Sequence, residues 1–260
     1  MKIYAVCSVA IAPLRADASD RAEIVSQLLF GDRVEVLEQS ERWCRVLTKH
    51  DNYEAWMDPK QLLVVDEDSY TNENAFSTMS ALNLANVLQD ENHGYYYLSP
   101  GSTLPFYQDN FCQIADKRFK VLNKIWEPAK ELNGQFIEQV AMFFLNTPYL
   151  WGGRSLFGID CSGFSQIVYK LLGRALPRDA SQQVAEGVVV DFLESATCGD
   201  LAFFDNEEGK ITHVGIMLSN RAIIHAAGKV RIDRIDNQGI YNEDLQRYTH
   251  KLRIIKRLFV

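Results

Sequence analysis

Near residue 125 the hydrophobic pattern of this chain changes period, and that change limits what the chain can fold into. Before it, short strand-like runs sit between polar turns: "RVEVLEQ", "RWCRVLT", "YEAWM" and "QLLVV", with "KHDN" as one of the turns. Strands this short and this closely spaced suggest a small barrel over residues 1–66. The polar stretch "DEDSYTNENAFST" reads as a linker. A second small β domain is expected within 67–124, where "GYYYLSPGSTLPFY" carries strand-forming aromatics on both sides of a Ser-Pro-Gly turn. After residue 125 the period becomes helical. "AKELNGQFIEQVAMFFLN" places Leu132, Phe136, Ile137, Val140, Phe143 and Phe144 on one face. "GIDCSGFSQIVYKLLG" repeats the pattern with Phe164, Ile167, Val168, Leu171 and Leu172, and Gly173 is its stop. "RDASQQVAEG" offers Asp179 as N-cap, Gln182 as its capping-box partner and Gly187 as a stop. Three strand-like runs follow "CGDLAFF": "THVGIML", "AIIHAAG" and "LRIIKRLFV". Helices followed by a meander of strands predict an α+β domain over 125–260.

A chain of 260 residues suits two or three small domains, and 47% hydrophobic residues can build their cores without staples. The net charge is −7 and no Lys/Arg block stands out, which argues against nucleic acid or an anionic membrane as a partner. The five cysteines are scattered, with no CxxC pair, so neither a disulfide framework nor a Cys-rich zinc site is expected. A reducing compartment follows. The N-terminal "MKIYAVCSVAIAPLRADAS" imitates a signal peptide, but its basic region is weak and it reads better as a first strand. The expectation is a cytoplasmic monomer, with export as the alternative. No stretch reaches the roughly 18 apolar residues that a membrane span needs.

Cys161 falls in the first turn of its helix, where the positive end of the helix dipole favours thiolate. The competing reading is a small buried hydrophobe. Two histidines decide between them. His213 and His225 sit inside apolar runs, and a three-residue loop at Leu218, Ser219 and Asn220 would set them directly opposite one another. Met217 would then pair with Arg221 and Gly215 with Ile223. One ring could take the thiol proton while the other fixes its tautomer. Cys161 becomes the nucleophile, His213 the general base and His225 the orienting group, with the Cys161 backbone N–H as an oxyanion donor. Asp160 by itself would raise the thiol pKa, so it reads as a cap or as a partner for a substrate cation. Zinc held by Cys161, His213 and His225 is the rival chemistry; the ligand spacing disfavours it, and no metal or cofactor is expected.

The ordered motifs "TPYLWGG", "DCSGF", "LPRDASQQ", "GDLAFF", "HVGIML" and "IIHAAG" resemble the NlpC-type cell-wall peptidases, which have a papain-like fold. The resemblance covers residues 130–260. It implies that Cys161, His213 and His225 are catalytic, that the Tyr149 hydroxyl reaches the oxyanion region, and that Trp151 walls the substrate groove. The first 66 residues are similar to a bacterial Src-homology-3-like domain. The pairing resembles the subfamily that cuts γ-D-glutamyl-L-diamino acid bonds in murein peptides with a free N-terminal L-alanine. There, the resemblance implies, Glu23, Tyr53, Asp160, Ser162 and Ser181 contact substrate around its amine. Other readings are an amidase or acyltransferase on the same fold, and a wall-binding hydrolase acting on intact peptidoglycan.

Overall fold

A computed structural model of the chain describes residues 2–129 and 133–259. The Leu132 position of the expected helical face lies outside the described residues. The chain divides into two compact units: Met1–Pro128 with Trp151–Leu156, and Ala129–Leu150 with Phe157–Val260.

In the first unit, β1 (Ile3–Cys7), β2 (Ile11–Arg15), β3 (Ile24–Leu29), β4 (Arg33–Gln39), β5 (Cys44–Thr48), β6 (Glu54–Met57) and β7 (Leu62–Val65) form one sheet in the order β3-β2-β6-β5-β4-β1-β7. The alternation seen in the sequence sets its faces. Cys44, Val46 and Thr48 of β5 are buried, and Val46 packs with Ala5, Leu14, Val34, Ala55 and Met57. The expected linker is folded instead. Asp66 accepts the Ser69 backbone N–H at 2.7 Å and starts α1 (Glu67–Thr71), whose buried Tyr70 stacks on Tyr4 with centroids 4.3 Å apart. A polar count hid this, because one aromatic and one cap suffice to hold a helical turn in place.

A second sheet follows, with β8 (Asn86–Asp90), β9 (Tyr95–Leu98), β10 (Phe111–Ile114) and β11 (Lys117–Val121) in the order β9-β8-β11-β10. The aromatic run before the Ser-Pro-Gly turn is β9; the run after it forms turns and isolated bridges rather than a strand. This sheet shares a core with the first one. Val6 and Phe30 pack among Leu88, Leu98, Cys112 and Phe119, and the Phe30 and Phe119 rings meet edge to face at 5.2 Å. Residues 1–66 and 67–124 thus carry two sheets that pack within one compact unit. The segment Trp151–Leu156 belongs to it as well. Arg154 donates to the Gln27 carbonyl oxygen at 2.7 Å, and its backbone N–H donates to the Gln27 side chain at 2.9 Å.

The second unit opens with α2 (Gly134–Met142), capped by Asn133, with Ile137, Val140 and Ala141 buried. α3 (Cys161–Leu171) is buried along most of its length and ends, as expected, near a left-handed Gly173. α4 (Ala180–Gln183) has the anticipated capping pair: the Asp179 backbone N–H donates to the Gln182 side chain at 3.2 Å. The sheet contains β12 (Val188–Val190), β13 (Leu201–Asp205), β14 (Ile211–Ser219), β15 (Ala222–Ala227), β16 (Lys229–Asp236), β17 (Gly239–Asn242) and β18 (Arg247–Arg257). Their order is β12-β18-β13-β14-β15-β16-β17, and β17 also pairs with β18. The last six strands thus close into a barrel around Ala202, Phe204, Met217, Ile223, Ile235, Ile240 and Ile255. α3 packs on β14 and β15. Sequence reading anticipated β14, β15 and β18 but passed over β16 and β17, whose charged "VRIDRID" and short "GIYN" mask their alternation.

Candidate active site

Cys161 is the first residue of α3 and is 8% exposed. Asp160 precedes it as N-cap: its carboxylate accepts the Gly163 N–H at 2.7 Å. The backbone N–H groups of Val214 and Ser162 both point at the sulfur and favour its ionised form. Burial wins over them. It pushes the Cys161 thiol up to about 11, and the Asp160 charge adds to the rise. The helix dipole alone therefore does not make a standing thiolate, and the resting group is a thiol that needs a base.

His213 supplies one. It lies on β14 beside Val214, the residue whose N–H faces the sulfur. The expected hairpin register is corrected by two residues. Met217 pairs with Ile223 rather than Arg221, Ser219 pairs with Ala222, and the register shifts between Met217 and Ser219. The turn is the two-residue Asn220-Arg221, and Leu218 is taken up in a bulge. His225 therefore faces Gly215, and His213 reaches it diagonally. A Cβ on Gly215 would stand 2.8 Å from the His225 Cβ, so the missing side chain makes room for the contact. The contact itself survives the correction: His213 Nε2 and His225 Nδ1 are 2.8 Å apart.

The sequence reading missed Asp233 on β16, which sets the direction of this pair. Its carboxylate lies 2.9 Å from His225 Nε2 and is gripped by Arg231 at 2.8 Å. Burial would raise the Asp233 carboxyl, but the bonds from His225 and Arg231 outweigh it and hold the group below its ordinary value. A carboxylate only accepts, so His225 Nε2 carries its proton. With a neutral His225, Nδ1 accepts from His213 Nε2–H, which leaves His213 Nδ1 as the bare, basic nitrogen. Burial, followed by the neighbouring His225 and His250, lowers the His213 pKa well below 6.5. At neutral pH the base is unprotonated.

His250, on β18, was also missed. Its ring stacks on His213 with centroids 4.1 Å apart and 26° between planes. The ligand nitrogens of His213, His225 and His250 lie within 4.8 Å of one another. A metal needs converging lone pairs, whereas His213 and His225 aim theirs along a shared hydrogen bond and His213 lies nearly parallel to His250. Cys161 is not part of this group. The geometry suits proton relay better than metal binding.

On the other side of Cys161, Asp160 is 5% exposed and pairs with Arg178, which is 1% exposed, at 2.6 Å. Ser162 Oγ donates to Asp160 at 3.3 Å and accepts from Arg178 at 2.8 Å. The fully buried Gln183 donates to the Ser162 carbonyl oxygen at 3.0 Å. Asp160 and Ser162 are thus brought together, with the unanticipated Arg178 between them. Ser181 is exposed on α4, and among the described residues no bond joins it to this cluster; the neighbouring Ala180 takes the buried position. Tyr149 feels the Cys161 and Asp160 charges. Burial first, and those charges next, push its hydroxyl up to about 12, so it remains an O–H donor at neutral pH. In the first unit, the Trp151 indole N–H donates to the exposed Glu23 carboxylate. Tyr53 packs half-buried on the core of the first sheet.

Comparison with known proteins agrees with this geometry. Residues 146–249 match the model of the NlpC/P60 family, and residues 14–62 match that of the bacterial dipeptidyl-peptidase Sh3 domain. The chain is 30% identical over 229 residues to the γ-D-glutamyl-L-lysine dipeptidyl-peptidase of Bacillus subtilis, covering 78% of this chain and 72% of that protein. It is 28% identical over 264 residues to dipeptidyl-peptidase 6 of Lysinibacillus sphaericus, covering 90% and 93%. The crystal structure of an NlpC/P60 family protein from Bacillus cereus superposes with a TM-score of 0.81 at 21% identity, covering 98% of this chain and 99% of that one. A buried thiol at a helix start, facing a barrel that presents an oriented imidazole, is the papain-like arrangement, and this chain belongs to the NlpC/P60 family of cysteine peptidases.

Proposed function

We propose that this protein is an endopeptidase that hydrolyses the γ-D-glutamyl-L-diamino acid bond of murein peptides bearing a free N-terminal L-alanine, in the recycling of cell-wall peptides. The observation that carries the reaction class is the relay from Asp233 through His225 to His213, on the strand whose Val214 N–H faces the Cys161 sulfur. The names of the relatives support the bond specificity. The five free cysteines fit a cytoplasmic recycling enzyme.

In this reading the Cys161 proton passes to His213 Nδ1 as the sulfur attacks the γ-carbonyl carbon. The oxyanion is met by the Cys161 N–H, which as the first residue of α3 lies outside the helical ladder, and by the Tyr149 hydroxyl. The His213 imidazolium returns its proton to the departing amine, leaving a thioester. Water then attacks with His213 again as base, releasing the dipeptide and restoring the thiol.

Selection for a free amine is assigned to Glu23 and Tyr53, with Asp160, Ser162 and Trp151 as further substrate contacts. Asp160 has structural work as cap and ion-pair partner. Its replacement tests folding, so Glu23→Gln and Tyr53→Ala are the variants that test selectivity. The experiment is a paired digest, read by mass spectrometry, of L-Ala-γ-D-Glu-L-Lys and the same peptide with its alanine amine acetylated. Cleavage of the first alone, between glutamate and lysine, is expected. Equal cleavage of both would overturn the amine selection, and cleavage of neither the substrate assignment.

A further inference from the structure

We propose that His250 is a positioning residue for the general base: its imidazole is the platform that holds the His213 ring between Cys161 and His225. The inference rests on the reading of Cys161 and His213 as thiol and base. His213 holds His225 through Nε2 at 2.8 Å, and in the proposed reaction its Nδ1 must also reach the thiol proton, so turning the ring about its Cβ–Cγ bond spoils both tasks. The His225 contact alone does not prevent that rotation. Its ring meets His213 edge-on, at 5.0 Å and 87°. The Phe204 ring is tilted at 51° and stands 5.7 Å away. His250 alone among these rings lies flat against the base, at 4.1 Å and 26°.

The platform is itself fixed. His250 Nδ1 and Thr249 Oγ1 are 2.9 Å apart, and Thr249 Oγ1 donates to the Ile240 carbonyl oxygen at 3.5 Å. The backbone beneath is clamped by β17. Ile240 pairs with His250, and Gly239 (φ +136°) comes so close that a Cβ there would lie 1.8 Å from the His250 carbonyl oxygen. Only glycine permits that approach. Burial also lowers the His250 pKa to about 4, so the platform is neutral when His213 takes the thiol proton and no second cation opposes it. A phenyl ring could serve the same purpose, because what is used is a flat uncharged face.

The test compares His250→Ala with His250→Phe in the full-length protein, each checked for native thermal unfolding. Two rates are measured: iodoacetamide alkylation of Cys161 at neutral pH, located by peptide mass spectrometry, and kcat on L-Ala-γ-D-Glu-L-Lys. In His250→Ala both should fall together by about ten- to a hundredfold, the scale of a misplaced catalytic group, while KM changes little. In His250→Phe both should recover most of the loss. Wild-type alkylation in His250→Ala overturns the proposal, and so does a His250→Phe protein as slow as the alanine variant. Rapid alkylation of the wild type with no peptide cleavage would overturn the substrate assignment alone; the His250 comparison is then read from alkylation, with the same two outcomes.

Discussion

Two buried polar clusters flank Cys161, and they use charge in opposite ways. On one side Asp160, Arg178 and Ser162 form a closed set: an ion pair at 2.6 Å, a helix cap at 2.7 Å and a hydroxyl that both donates and accepts. Its members bond to one another, and its structural work is to fix where α3 begins. On the other side Asp233, His225 and His213 form an open chain that ends on an unprotonated nitrogen. Its work is to be incomplete. The contrast shows why an aspartate beside a nucleophile need not activate it: Asp160 raises the thiol pKa, and the price is accepted because the cap sets the position of the sulfur.

The largest effect expected from breaking this contrast is at the chain's open end. Cys161→Ala or His213→Ala should lower kcat by about 10⁴-fold or more, with the fold intact, since groups acting as a unit are lost together. At the closed cluster, Arg178→Ala removes the cation that pairs with the buried Asp160 carboxylate. It should cost about 3–5 kcal/mol of stability in denaturant titration. The Arg178→Ala molecules that remain folded should keep Cys161 alkylation near the wild-type rate. An Arg178→Ala protein with full stability and slow alkylation would merge the two clusters into one. Asp233→Asn should act on the reaction, lowering kcat by about 100-fold, less than the ~10⁴ for a group bonded directly to the base.

A pH effect separates them further. His213 and His250 have folded-state pKa values below the unfolded 6.5, that of His250 near 4. The unfolded chain therefore binds more protons between pH 6.5 and 4. Stability is present in full above 6.5 and is lost as pH falls through that window. Thermal melts at pH 7 and pH 5 should show the drop, and His250→Phe should make it shallower. The smallest effect is expected at Ser181, which lies exposed outside both clusters; Ser181→Ala should alter kcat/KM by less than about twofold.

The two clusters were unequally legible in the sequence. Cys161, its helix and the two apolar histidine runs stood out because their periodicity is local. The contact of His213 with His225 was anticipated, but through the wrong register. A bulge at Leu218 is a property of strand pairing, and Asn220 fits either loop length. Asp233, His250 and Arg178 were invisible for a common reason. Each lies in a charged or polar run, "VRIDRID", "RYTHKLR" and "LPRDAS", where a buried functional group looks like an ordinary solvated one. His250 meets His213 only through the tertiary pairing of β18 with β13 and β17. The polar stretch at 66–78 failed as a linker through the same blindness, since Tyr70 gains its meaning from Tyr4 on β1.

The most direct test of the account is to trap the acyl-enzyme. Protein mixed with L-Ala-γ-D-Glu-L-Lys, quenched in acid within one turnover and digested, should carry an L-alanyl-γ-D-glutamyl thioester on the peptide containing Cys161. His213→Ala should carry none. An adduct at another residue, or a Cys161→Ala protein that still releases lysine at the wild-type rate, would contradict it.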